Sequence, residues 1–188
     1  EFRRVLFRSE ESYGYMKGQY SRDKDGVVAS MLICEMAAYY SLKGMTLIDA
    51  VESLYEKYGF YMENSAEIYM EGLDGKEKIA GLMDKLRAET PEKLAGSRVV
   101  NIRDYLAETS KNMLTGEVEG TGLPKSNVMY YKAENGCVVV ARPSGTEPKI
   151  KFYILANGKN EEEAHNNTVD CTHTLEDMLG LAHDTLKK

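Results

Sequence analysis

The chain has 188 residues, with 24 Lys plus Arg against 30 Asp plus Glu and a formal charge of −6. That length suits one domain or two with a buried core, and the acidic balance argues against a general nucleic-acid binder. No apolar run approaches the roughly 18 residues of a membrane span. Cysteine is limited to Cys34, Cys137 and Cys171, with no CxxC pair. That usage excludes a disulfide framework and fits a reducing, cytoplasmic compartment.

Residues 1–9 stand apart from the rest. They carry Arg3, Arg4 and Arg8 without a helical or strand pattern, and Val5-Leu6-Phe7 is shorter than the apolar stretch of about 7 residues that a secretory signal needs. They read as non-native adapter or cloning sequence and are left out of the fold. Residues 26–40 are helix-compatible, with Val28, Met31, Leu32, Met36 and Tyr39 marking a broad apolar face. After Gly44, Thr46 caps a second helix with Asp49 in its first turn. Leu47, Ile48, Val51, Leu54, Tyr55 and Tyr58 form its stripe, and Gly59 ends it.

A strand is expected over 65–71. Asp74 then caps a helix in a capping box with Glu77, and that helix buries Ile79, Leu82, Met83 and Leu86. A short strand follows over 97–102, and the polar stretch 107–127 reads as a long loop. Asn135-Gly136 between apolar runs predicts a hairpin of strands 127–132 and 137–141. A further strand spans 149–155. Asn160 caps the last helix, with Glu163 three residues on and a stripe of Ala164, Thr168, Cys171, Leu175, Met178 and Leu179. His165, His173 and His183 are spaced by eight and ten, which places none above another on a helix and gives no metal site.

These pieces predict two modules. Residues 10–62 hold two helices and no convincing strand, too little to close a core, and read as the end of a larger domain. Residues 63–188 hold about five strands and two helices, enough for an α+β domain with an antiparallel-type sheet and packed helices.

The sharpest chemistry lies at Arg142-Pro143-Ser144-Gly145-Thr146-Glu147-Pro148-Lys149-Ile150-Lys151, between two expected strands. Arg142 offers a planar fork for two phosphate oxygens, Ser144 and Thr146 offer hydroxyls, and Gly145 lets backbone N–H groups approach an anion. Lys149 and Lys151 add positive charge. Each charge-assisted hydrogen bond would contribute roughly 1.5–3 kcal/mol. On the residues alone, anion binding and a hairpin corner that merely satisfies turn geometry both remain open.

This loop resembles the C-terminal phosphate-binding loop of the α-D-phosphohexomutases, the phosphoglucomutase and phosphomannomutase superfamily. Glu10-Glu11-Ser12-Tyr13-Gly14-Tyr15 resembles the sugar-binding loop of that family's third domain. Arg22-Asp23-Lys24-Asp25-Gly26 and Leu123-Pro124-Lys125-Ser126-Asn127-Val128 resemble segments of its glucose-type branch. The resemblance covers residues 10–188 with the motifs in family order. It implies that 10–62 is the C-terminal part of an α/β third domain and that 63–188 is the C-terminal fourth domain.

The resemblance also implies an enzyme that interconverts hexose 1-phosphate and hexose 6-phosphate through a bisphosphate, glucose 1,6-bisphosphate, acting as intermediate and activator. A first-domain phosphoserine and a Mg²⁺ loop in the second domain would do the chemistry. Upstream domains 1–3 of the same protein and a phosphorylated hexose would be its partners. Glu10, Ser12 and Lys24 would then bind the sugar; Arg142, Ser144, Gly145, Thr146 and Lys151 would hold the non-reacting phosphate. Lys151 stands where relatives often carry a second Arg. Neither Ser-His-Asn-Pro nor Asp-Gly-Asp-x-Asp-Arg occurs here, so the 188 residues alone are expected to catalyse nothing and to supply no metal ligand. Mannose or pentose phosphates are the alternative substrates, and a stand-alone phosphosugar-binding module is the alternative class.

Overall fold

The computed structural model describes residues 7–9, 13–18, 20–21 and 23–186. Two compact units divide between Tyr58 and Gly59.

The first unit has a two-stranded antiparallel pair, β1 (Phe7–Ser9) with β2 (Tyr15–Lys17), and two helices, α1 (Gly26–Ser41) and α2 (Leu47–Tyr58). The strand over Phe7–Ser9 departs from the patternless reading of residues 1–9. Asp25 starts α1, its Oδ1 accepting from Val27 N and Val28 N at 3.0 Å each. The hydrogen bond from Tyr20 holds the Asp25 carboxyl below its ordinary range. Thr46 and Asp49 cap α2 reciprocally: Asp49 N donates to Thr46 Oγ1 at 3.1 Å and Thr46 N donates to Asp49 Oδ2 at 2.7 Å.

The expected apolar faces are present but uncovered. No residue of α1 is buried, and Ala50 alone is buried on α2. Tyr39 and Tyr58, which the spacing places on these faces, are 53% and 61% exposed. Phe7, Tyr15, Leu32, Met36, Tyr40 and Leu54 border an apolar cleft of about 860 Å³.

The second unit is an antiparallel sheet with helices packed on one face. Its strands are β3 (Phe60–Tyr69), β4 (Lys93–Leu94), β5 (Ser97–Asp104), β6 (Thr109–Asn112), β7 (Val118–Gly120), β8 (Met129–Ala133), β9 (Val138–Pro143) and β10 (Lys149–Gly158). The order is β3-β10-β9-β8-β5-β6-β7, with β4 pairing β5 off that path. Its helices are α3 (Gly75–Ala88) and α4 (Glu161–Leu179). Strand alternation sets the two faces of the sheet. On β10, Ile150, Phe152, Ile154 and Ala156 are at most 2% exposed, whereas Lys149, Lys151 and Tyr153 point to the other face. The buried face packs with Val139, Tyr131 and Met129 against Ile79, Met83 and Leu86 of α3 and Cys171 and Leu175 of α4. Tyr131 keeps its buried hydroxyl satisfied by donating to Leu86 O at 2.8 Å.

The hairpin falls where Asn135-Gly136 places it, with Gly136 at φ +91° and Cys137 N donating to Asn135 Oδ1. Asn160 caps α4 by accepting from Glu163 N at 2.8 Å, and Gly180 ends it at φ +72°. Other details depart from expectation. Strand β3 begins at Phe60 and not at Ser65. Asp74 makes no side-chain cap on α3; its carboxylate pairs with Lys78 at 2.8 Å. Past Gly180 the chain folds back on α4, so His183 stacks on His173 with ring centroids 4.2 Å apart. Each ring Nε2 meets a carboxylate, Asp184 at 3.3 Å and Asp177 at 2.9 Å. Among the described residues no helix is long and apolar enough to cross a membrane.

Candidate functional site: an anchored turn between two strands

The Arg142–Lys151 segment spans the end of β9 and the start of β10, which pair from Leu155 with Val138 to Ile150 with Pro143. The turn is closed by Ser144 N donating to Lys149 O at 2.9 Å and Lys149 N donating to Glu147 O at 2.8 Å. At its tip, Ser144 Oγ accepts from Thr146 N at 3.4 Å and from Glu147 N at 3.2 Å. Both bonds use oxygen lone pairs, so the Ser144 hydroxyl proton stays available to donate. Arg142, Gly145, Thr146 and Glu147 are exposed, and Ser144 and Lys151 are half-buried.

The far side of the turn is fastened to β3 and α3. Met70 N donates to Pro148 O at 2.9 Å. A Cβ on Gly75 would lie 2.0 Å from Met70 O and 3.0 Å from Pro148 Cβ, so helix start, strand end and turn meet closely there. Lys149 Nζ lies 3.0 Å from Glu147 Oε2, 3.0 Å from Tyr69 Oη and 3.3 Å from Glu67 Oε2. Bonds to Tyr69 and Glu147 push the Lys149 ammonium above its ordinary range. Burial pushes the Glu67 carboxyl up, but Lys149, Tyr69 and Lys151 outweigh it and hold that group below its ordinary range. Lys151 Nζ is 3.9 Å from Glu67 Oε1. Glu67 and Tyr69 are what the sequence reading missed, because only the register of β3 on β10 brings them to the turn.

By contrast, Gly145 has neither a left-handed φ nor an obstruction: nothing lies within 4 Å of a Cβ built there. The fold imposes no steric need for glycine at this point.

In the first unit, Lys24 borders a small cleft of about 200 Å³ with Arg8, Tyr15 and Asp23. Its backbone N–H donates to Asp23 Oδ1 at 2.7 Å. Glu10 and Ser12, expected to bind sugar, lie outside the described residues. Among the described residues no group of three or more His, Cys, Asp or Glu is arranged to hold a metal ion.

The model of the family described as phosphoglucomutase/phosphomannomutase, alpha/beta/alpha domain III, matches residues 2–58. The phosphoglucomutase of Staphylococcus haemolyticus is 36% identical over 158 residues, 84% of this chain and 29% of that protein. The chain is similar in sequence to phosphoglucomutases over most of its length. The Staphylococcus aureus (strain bovine RF122) phosphoglucomutase is 37% identical over 159 residues, 85% of this chain and again 29% of its own. The chain thus spans under a third of the length of these relatives. Parafusin from Paramecium, a phosphoglucomutase solved in an open form, superposes with a TM-score of 0.58 at 15% identity. That match covers 93% of this chain and 30% of the other, and it carries the fold alone.

Proposed function

We propose that this chain is the substrate-gripping portion of a phosphoglucomutase-type enzyme that interconverts hexose 1-phosphate and hexose 6-phosphate through a bisphosphate. The observation that carries the reading is the anchored turn at Arg142–Thr146. It presents an exposed guanidinium with no ion-pair partner among the described residues, a serine hydroxyl free to donate, and an unobstructed glycine backbone. In this reading residues 10–62 complete the family's third domain and 63–188 form its fourth. Arg142, Ser144, Gly145 and Thr146 hold the phosphate that is not reacting, with Lys151 at the edge of the grip. Glu10, Ser12 and Lys24 bond the sugar hydroxyls. Binding energy from the remote phosphate then orients the other end for transfer. A bisphosphate that reverses between half-reactions, glucose 1,6-bisphosphate for a glucose substrate, needs such a grip for either end.

The phosphoryl donor and the magnesium ligands would come from upstream domains, since neither sequence motif occurs in these residues. A helix apolar on all sides belongs inside a larger body. The uncovered α1 and α2 faces therefore favour a larger enzyme over a stand-alone phosphosugar-binding module.

The test is an amide NMR titration of the chain with glucose 6-phosphate, with mannose 6-phosphate and ribose 5-phosphate alongside. Shifts centred on 142–146 that vanish in Arg142→Ala are expected, with no isomerisation by the chain alone. Unmoved turn amides, or full binding in Arg142→Ala, would overturn the reading.

A further inference from the structure

Strands β3 and β10 pair in register, with Tyr69 opposite Lys149 and Glu67 opposite Lys151, and β9 places Arg142 opposite Lys151 on the other side. Directly opposed residues share a sheet face, as do residues two apart. Glu67, Tyr69, Lys149, Lys151 and Arg142 therefore stand together on the face away from the helices. Lys149 has three ammonium protons and three oxygens within 3.3 Å, from Glu147, Tyr69 and Glu67. Its side chain is 19% exposed. Every donor direction is occupied, and two carboxylates compensate one charge.

The arrangement also disposes of Glu147, the carboxylate within the turn itself. A carboxylate at the mouth of an anion site repels the anion. Here the Glu147 carboxylate is drawn to Lys149, and Lys149 is in turn held by Glu67 and Tyr69 on β3. Counting Glu67, Glu147, Lys149 and Lys151 together, the charges cancel, which leaves Arg142, among the described residues, as the uncompensated cation of the turn.

We infer, resting on the phosphate-binding reading above, that Lys149 and Glu67 are positioning residues. They fix the turn and park Glu147 against the sheet, and Lys149 does not itself grip the phosphate. Glu67 on β3 thereby becomes part of the binding machinery although it touches no ligand.

The two roles predict opposite signs for one substitution. If Lys149 and Lys151 gripped the phosphate, Glu67→Gln would unmask them and tighten binding. As positioning residues, Glu67→Gln and Lys149→Met each weaken glucose 6-phosphate binding by about three- to tenfold, and the double variant is no worse than Lys149→Met alone. Lys149→Arg, which keeps a cation with several donors, restores most of the loss. In the free Glu67→Gln variant, amides of 144–147 shift while those of β8 stay in place. Tyr69→Phe removes an acceptor from Lys149 and a hydrogen bond to Glu67, leaves the charges intact and gives a smaller loss of the same sign, so it serves if a charge variant fails to fold. Tighter or unchanged binding in Glu67→Gln, or unchanged binding in Lys149→Met, would overturn the inference while Arg142→Ala still abolishes binding. No response of the wild-type turn to glucose 6-phosphate would overturn the phosphate reading and this inference with it.

Discussion

Replacing Gly75 with alanine sets two effects against each other where the turn meets α3. Gly75 is the first residue of that helix and does not occupy the left-handed region. Its backbone therefore accepts alanine, and helix propensity would favour the change by up to about 1 kcal/mol. Against that, the new Cβ would sit 2.0 Å from Met70 O, a backbone atom that cannot swing aside, and 3.0 Å from Pro148 Cβ. Overpacking of this kind costs about 1–3 kcal/mol. Moving Met70 also weakens its bond to Pro148 O, at 2.9 Å, for about 1 kcal/mol more. The clash wins, and a net loss of about 1–3 kcal/mol is expected. Urea unfolding of the chain, followed at the amides of Phe152 and Ile154, reads it directly. With a slope of about 2 kcal/mol per molar urea, the midpoint falls by roughly 0.5–1.5 M. A midpoint equal to or above that of the wild type would refute the packing argument, and with it the view that α3 fixes the turn's far end.

Gly145→Ala should do the reverse: stability within about 0.5 kcal/mol of wild type, because the site is open, but weaker glucose 6-phosphate binding, because on the proposed reading the Cβ would stand where the anion approaches. Unaltered binding would remove Gly145 from the site. The Glu67 carboxyl, held below its ordinary range, contributes stability that is present above the unfolded Glu range and lost as pH falls through its folded value. Lys149, held above its ordinary range, contributes stability that is lost only as pH rises through its raised value. The unfolding free-energy difference between wild type and Glu67→Gln should therefore stay flat from about pH 6 to 9 and shrink below about pH 4; a difference that grew on acidification would contradict it.

Elements with a local signal were legible. The Asn135-Gly136 turn, the Thr46–Asp49 and Asn160 caps, and the alternation along β10 each depend on residues within a few positions of one another. Strands β6 and β7 were not: Thr-Ser-Lys-Asn and Val-Glu-Gly carry no apolar alternation, lie at the far end of the sheet and are held by backbone pairing. Glu176 was missed for a related reason. It is fully buried on α4, and its two oxygens accept from Asp184 N at 3.1 Å and Leu186 N at 2.7 Å. A charged residue is placed outside by default, and only the return of the chain after Gly180 satisfies this one. The stacking of His173 on His183 comes from the same return, which helical spacing does not describe.

At the candidate site the same division recurs. Arg142, Ser144, Gly145 and Thr146 could be named because they are consecutive and their chemistry is written in their types. Glu67 and Tyr69 could not, lying about eighty positions away in sequence, and β3 itself was expected to begin later than it does. Their presence changes what the motif means. Taken alone, Lys149 and Lys151 look like two further charges offered to an anion. Placed against Glu67, they are half of a neutral cluster, and on the proposed reading the grip narrows to the guanidinium, the hydroxyls and the open backbone of the turn.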